Sequence, residues 1–594
     1  MFRSTSRQTS LLEASYLLPD KKRERLVRSW AHAFRTRVMP HVDEELFRDA
    51  FCADNGRPNF SIRLLAGAHL LKETNDLTDG QVIEQVEFNV QWQYALGVTP
   101  EEAHLVQRTM HSFRVLLTKN DRAARMFEDL TRKLAVAEGI SLGRQRLDST
   151  HVLSNIAVLT RLTLFCETVV HFLRVLRKEL PARLEALDGR FRRRYLEREG
   201  YFADAKREQA RRRLPVVAAD LYELVRAFEG DAEVQALEAF ALLRRLFEEQ
   251  CEVVRDDDED DVDRDAGAAA SDVERGAGLP KVKVREPKTV SSSSLQSPHD
   301  PDATYGHKGK GYEVQLSETC DEDNPFQLVT GVAVNGACES DQAALVPFVD
   351  QLIASDLAPE ALLADTGYGS GANIVACAER GIDLQAPVQD PNAPAAVDRF
   401  LASGAPRPDA PVAAAIIEPT HETACEPTPN ADVSGRSQLP DGLDLASFAF
   451  TSTFQHVLAC PAGHEPVSQH LAGALLVATF SAAQCPECPL ASLCPTRALK
   501  DGSRQLRLAP ATIATQVRQH EQRTPLFKER YRMRSGIEST NGTLKGRHGL
   551  DDLRVRGKPR VTVAAILKTL ALNTRRVVQH HVSLLRPDGE PCPA

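Results

Sequence analysis

Apolar positions recur at helical spacing through the first 140 residues. Residues 62–71 (IRLLAGAHLL) form a nearly unbroken apolar stretch behind Ser61, which is suited to cap a helix. Asp79 can cap a second helix that carries Val82, Val86 and Val90 to Trp92, with Leu96-Gly97 as its stop. A third helix is expected over 121–138. At 146–152 (RLDSTHV) the segment follows a glycine-bearing loop and reads as a β-strand ending in an acid, Asp148. Helical spacing then resumes to about Cys251. Further on, 312–317 and 326–334 alternate like the two strands of a hairpin, and 340–355 predicts a helix. Residues 361–365 (ALLAD) form a short apolar run ending on an acid, followed by a glycine-bearing turn, a helix over 373–380 and a strand over 383–387. An apolar helix is expected over 561–573.

Two stretches break the pattern. Residues 254–300 turn acidic and Ala/Gly/Ser-rich, ending in SSSSLQSPHD, and read as a loosely ordered linker; 390–440 are rich in Ala, Pro and Thr and read as a flexible insertion. The chain's net charge of −9 is concentrated there, because 256–265 (DDDEDDVDRD) alone holds eight acids against one base. Charge distribution therefore matters more than its sum, and the net value does not argue against a nucleic-acid partner. The opening MFRSTSRQTS is polar and no run of about 18 apolar residues follows. These features predict a cytoplasmic protein without a membrane partner. Most of the 12 cysteines are scattered singly, as in a reducing compartment. Cys460, Cys485, Cys488 and Cys494 are the exception, spaced C-x24-C-x2-C-x5-C. They are candidates for a structural tetrahedral zinc site, against the alternative of buried free thiols.

The segment 531–545 (YRMRSGIESTNGTLK) lies in a basic region, with twelve Lys or Arg against five Asp or Glu between Arg518 and Arg560. As one helix it would set Tyr531, Arg534 and Glu538 on a single face, extended by Lys545. Such a face offers one carboxylate to a metal and two cations to phosphates; a solvated amphipathic helix is the plainer alternative. The pattern Y-x2-R-x3-E-x6-K resembles the C-terminal signature of bacterial insertion-sequence transposases of the DDE type, matched here at all four positions.

That resemblance implies an α/β fold class: a ribonuclease-H-like catalytic core with an all-α N-terminal domain, a helical insertion and a small cysteine-rich insertion. The expected boundaries are 1–140 for the helical DNA-binding domain and 141–390 for the first part of the core, interrupted at about 160–300. An insertion with the cysteine module would cover 391–515, and 516–594 would complete the core. In such a fold the first and fourth strands are neighbours, which would join Asp148 to Asp365 of the DTGY motif. Asp148, Asp365 and Glu538 would then hold two Mg²⁺ (or Mn²⁺) ions for phosphoryl transfer. Tyr531, Arg534 and Lys545 would contact DNA, Tyr368 would stack on a displaced base, and Arg108 to Arg114 is a candidate DNA-facing surface. The implied partners are double-stranded DNA, as element terminal inverted repeats and target, and a second copy of the chain in a homodimer. Two rival readings stay open: a transposase-derived protein that binds DNA without cutting, and a ribonuclease-H-like nuclease.

Overall fold

The computed structural model describes residues 1–4, 14–52, 56, 58–155, 160–197, 207–254, 281–389 and 443–585. The acidic run 256–265 and the insertion at 390–440 lie outside them. The chain divides into two units, one of residues 1–368 with 532–594 and the other of residues 369–531.

In the first unit, β1 (Arg144–Val152) is the strand around which the sheet is built. The ladder β2 (Cys251–Val254) with β3 (Lys281–Val284) stands apart from it, and β4 (Thr304–Gly306), β5 (Gly309–Thr319), β6 (Val329–Gly336) and β7 (Ala361–Leu363) follow in the chain. Strand β5 runs antiparallel to β1 on one edge and to β6 on the other, while β7 lies parallel to β1 on its far side. The spatial order β6-β5-β1-β7 therefore sets the first and fourth long-range strands side by side. Strand β5 is buried along nearly its whole length because it has a partner on each edge and helices over its apolar positions Tyr312, Val314 and Leu316.

The N-terminal helices share one continuous core with this sheet and with the final helix, Lys558–Leu584. Leu65, Leu70, Phe113, Phe127 and Leu130 pack in the same cluster as Val314, Leu316, Val332, Ile566 and Leu570. The predicted 62–71 helix is Ile62–Thr74, and Ser61 caps it by accepting from the Leu64 amide at 3.1 Å. The second helix is capped by Thr78 and not by Asp79: the Thr78 hydroxyl and Gln81 form a capping box. It ends at Phe88, where Asn89 starts a separate helix, Val90–Leu96, closed by Gly97 in the left-handed region (φ +68°). Asp79 is free for another task and takes Arg114 in a two-point ion pair of 2.9 and 2.6 Å. Arg114 is thereby held in an ion pair and only part-exposed, at 29%, on the surface expected to face DNA.

The helical insertion (Arg161–Glu179, Arg207–Ala227, Glu238–Gln250) has its own core around Phe165, Phe172, Leu221 and Leu243. Contrary to the linker expected up to residue 300, 281–300 is ordered. Leu295 is fully buried in that helical core, its amide donates to Glu249, and Arg245 holds the carbonyls of Ser293 and Pro301. Leu295, with Val282 and Val284 packed on the same core, and paired backbone groups outweigh a composition that by itself suggests disorder.

The second unit contains an antiparallel sheet (Ser468–Ala472, Leu475–Phe480, Arg497–Ala498, Arg504–Leu508) packed on Pro510–Glu521 through Phe448, Leu476, Phe480, Leu506 and Ile513. Arg518 is buried there and donates to the carbonyls of Leu384 and Ala386 at 2.7 and 3.1 Å. No helix among the described residues is long and apolar enough to cross a membrane.

Candidate active site

Asp148 sits midway along β1, and the parallel pairing of Arg146 with Leu363 brings the end of β7 alongside it. Asp365 lies two residues beyond β7, in a turn closed by the Gly367 amide donating to its Oδ1 at 2.8 Å. A Cβ on Gly367 would lie 2.9 Å from that same oxygen and 3.1 Å from Asp341, so glycine is what lets the turn close on the acid. Glu538 arrives from elsewhere, in the first turn of the Ile537–Gly546 helix, where the unpaired amides favour a negative charge.

The continuous helix expected over 531–545 is not present. Pro525–Tyr531 ends one helix, Arg532–Gly536 is a 3₁₀ segment, and the Glu538 helix starts afresh. The break has a steric cause. The Arg146 guanidinium reaches under this segment to donate to the Met533 carbonyl at 2.9 Å, and a Cβ at Gly536 would lie 1.9 Å from it.

The 3₁₀ segment delivers Arg534 into the midst of the acids. Its Nη2 lies 2.9 Å from Asp148 and 3.5 Å from Asp365, and its Nη1 lies 3.1 Å from Glu538. All three candidate carboxylates thus meet on one guanidinium. The other oxygen of Asp148 accepts from the amide of Asn541 at 3.0 Å. Side-chain exposure rises from 14% at Asp148 through 37% at Asp365 to 66% at Glu538, so the pocket opens to solvent on the helix side. Burial raises the Asp148 carboxyl to about 6 against the opposing pull of Arg534, and the Asp365 charge adds to the rise. One guanidinium against three acids leaves the site short of positive charge.

Beneath the pocket is a second charge cluster. Glu318 on β5, fully buried, accepts from Arg146 (2.7 and 2.5 Å), Arg576 (2.6 Å) and the Thr540 hydroxyl (2.5 Å). Thr540 belongs to the Glu538 helix and Arg576 to the final helix, so this clamp seats both helices on the sheet.

The remaining predicted residues are placed differently. Lys545 is in the same helix as Glu538 but seven residues on, about 10 Å along the axis, and its ammonium pairs with Asp551 at 3.1 Å. Tyr531 stacks on Phe527 within the second unit, with ring centroids 5.7 Å apart. Tyr368 does not suit the stacking role expected of it: the ring is fully buried and its hydroxyl donates to Gln315. Cys460, Cys485 and Cys494 border the core of the second unit. The Cys485 thiol is pushed up first by partial burial and then by the Cys460 and Cys494 sulfurs, with Cys488 adding to it. Among the described residues no group of three His, Cys, Asp or Glu is arranged to hold a metal ion.

Asn541 and the Glu318 clamp were not anticipated from the sequence. Asn541 carried one usable signal, its place three residues after Glu538 and so on the same helical face. The clamp carried none, since its members come from four separate elements.

Two family matches bear on this arrangement. Residues 459–578 match the family described as Transposase DDE domain, a span that includes the four clustered cysteines, Arg534, Glu538 and Lys545. Residues 23–116 match the family described as Transposase domain (DUF772), which covers the N-terminal helices. No curated protein and no solved structure matches the chain. A DDE transposase domain is that of an enzyme that cuts DNA and transfers strands, which agrees with a pocket of converging acids on a basic segment. Both matches, one near each end of the chain, are to transposase families and support an insertion-sequence transposase of the DDE type.

Proposed function

We propose that this transposase cuts DNA at the ends of its element and joins the freed 3′-hydroxyl to target DNA, with Asp148, Asp365 and Glu538 as the catalytic acids. The observation that carries the proposal is their convergence on Arg534 from a strand, a turn and a helix far apart in sequence. The strand order β6-β5-β1-β7, with β7 parallel to β1, favours a ribonuclease-H-like core.

The chemistry of the donor set suits divalent ions of the magnesium type, while the three acids are here gathered on Arg534 and not arranged around a metal position. It offers hard carboxylate oxygens, an excess of negative charge over the one guanidinium, and a carboxyl whose ionisation is resisted by burial and by its neighbour. Two such ions, held by Asp148, Asp365 and Glu538, would supply activation of the attacking oxygen and neutralisation of the leaving one. The protein's own groups do the rest. Arg534 offers a planar double donor to a backbone phosphate near the acids. Lys545 and Tyr531 extend the contact along the DNA, and the clamp below keeps the Glu538 helix seated. Cys460, Cys485, Cys488 and Cys494 would hold a structural zinc, and a homodimer would bring two element ends together.

Single replacement of Asp148, Asp365 or Glu538 by Ala is expected to lower strand transfer by at least about 10³-fold, in line with loss of a metal-holding group. Binding of element-end DNA in a gel shift should change little. Wild-type strand transfer by any of the three variants would overturn the assignment. A protein that binds without cutting would show the band shift and no cleavage in either form.

A further inference from the structure

The amide of Asn541 donates from Nδ2 to Oδ2 of Asp148 at 3.0 Å, while Arg534 takes Oδ1 at 2.9 Å. Each oxygen of the first acid therefore has a separate donor. The other end of the same amide, Oδ1 of Asn541, is buried and has no hydrogen-bond partner. Rotating the amide cannot relieve it, because Oδ1 would then face the Asp148 carboxylate, acceptor against acceptor. An orphaned buried carbonyl costs about 1–3 kcal/mol. An apolar residue of similar size would avoid that penalty, and Asn is also among the weaker helix formers at an interior position. Neither local stability nor helix propensity accounts for asparagine here, which leaves the contact to Asp148.

We infer that Asn541 is a positioning residue that reserves Oδ2 of Asp148 and so makes Oδ1 the oxygen presented to a divalent cation. The inference rests on the proposed role of Asp148 as a metal-holding acid and adds to it. Arg534 and a cation compete for the same oxygen, Oδ1, whereas the Asn541 bond is made to the opposite oxygen and persists when a cation arrives. Glu538 and Asn541 are three residues apart on one helix. The helix that supplies the third acid thus also sets the orientation of the first, coupling the two across the pocket. Partners of this kind, which hold a ligand without touching the metal, typically change metal affinity or activity by about 10–100-fold.

The test uses the full chain and Mn²⁺ alone, with free Mn²⁺ followed by electron paramagnetic resonance and thermal unfolding measured beside it. Asn541→Leu and Asn541→Ala, which remove the donor without adding charge, are expected to weaken Mn²⁺ binding by about 10–100-fold, and Asn541→Gln, which keeps a donor, to recover part of the loss. Asn541→Leu should unfold at the same temperature as wild type or higher. Wild-type Mn²⁺ affinity in both Asn541→Leu and Asn541→Ala would overturn the inference, as would a fall in unfolding temperature that accompanies the lost binding in both. Asp148→Ala separates this from the underlying reading. If Asp148→Ala binds Mn²⁺ like wild type, the metal-holding role of Asp148 fails. If it loses binding while the Asn541 variants keep it, only the assignment to Asn541 fails.

Discussion

Asp148 and Arg146 lie two residues apart on the same face of β1, yet the charge clusters they belong to are built to opposite ends. Around Arg146, one carboxylate (Glu318) is shared by two guanidinium groups and a hydroxyl, and it is wholly buried. Around Asp148, three carboxylates share one guanidinium and one amide, in a pocket that opens to solvent. The first cluster is saturated and can only lose by change. The second is left negative, with a carboxyl that burial holds at about 6, and this is where a cation has something to gain. The fold uses the saturated cluster to hold the unsaturated one together, since Thr540 of the clamp lies two residues from Glu538.

The sharpest way to break this contrast is at the clamp. Glu318→Gln leaves the buried Arg146 and the partly buried Arg576 without their counter-charge, and removal of one partner from a buried pair costs roughly 3–5 kcal/mol. Both tryptophans, Trp30 and Trp92, pack edge to face in the core that spans the N-terminal helices and the sheet, so their fluorescence reports unfolding of this unit. The denaturation midpoint by that signal is expected to fall sharply. A midpoint near that of wild type would mean that the clamp does not seat the catalytic helix.

The opposite sign is expected in the pocket. The Asp148 carboxyl is raised from 3.8 to about 6, so the folded state holds its proton more tightly than the unfolded chain does. Its contribution to stability is therefore present below about pH 4 and lost as pH rises through 6. The shift corresponds to about 3 kcal/mol. In metal-free buffer Asp148→Asn, which mimics the protonated acid, should be more stable than wild type at pH 7.5 by up to about 3 kcal/mol and equal to it near pH 4. Thermal unfolding at the two pH values decides the matter; an Asn variant that is less stable at pH 7.5 would show the pocket to be a structural ion pair like the one below.

Which of these features the sequence disclosed follows from how local their causes are. Asp365 was legible because it ends a short apolar run, Asp148 only because the resemblance calls for a first aspartate on a strand, and Glu538 because a spaced signature surrounds it. Helix ends with local caps, such as Ser61 and Gly97, were legible for the same reason. The break at Arg532–Gly536 was not, because its cause is Arg146, almost four hundred residues away in the chain. Tyr368 followed an acid in a glycine-rich turn and looked like a surface aromatic, but Gln315 on β5 supplies a buried partner for its hydroxyl. The 281–300 segment has a linker's composition, and what orders it comes from distant elements: the pairing of β3 with β2, the Glu249 and Arg245 contacts, and the helical core around Leu295.

The smallest expected effect lies at Lys545, and it tells binding from structure most cleanly. Its pair with Asp551 is largely solvent-exposed on the acid side, 67% at Asp551 against 32% at Lys545. Such pairs contribute about 0–1 kcal/mol, so Lys545→Gln should leave the unfolding midpoint almost unmoved. If the ammonium swings from Asp551 to a DNA phosphate, it releases a counterion on binding. The slope of log affinity against log salt should then flatten by about one unit in the variant, with affinity lost at low salt more than at high. An unchanged slope would leave Lys545 as a surface residue tied to Asp551 and Arg534 as the cation of this segment that meets the DNA, inside the pocket where the charge imbalance already lies.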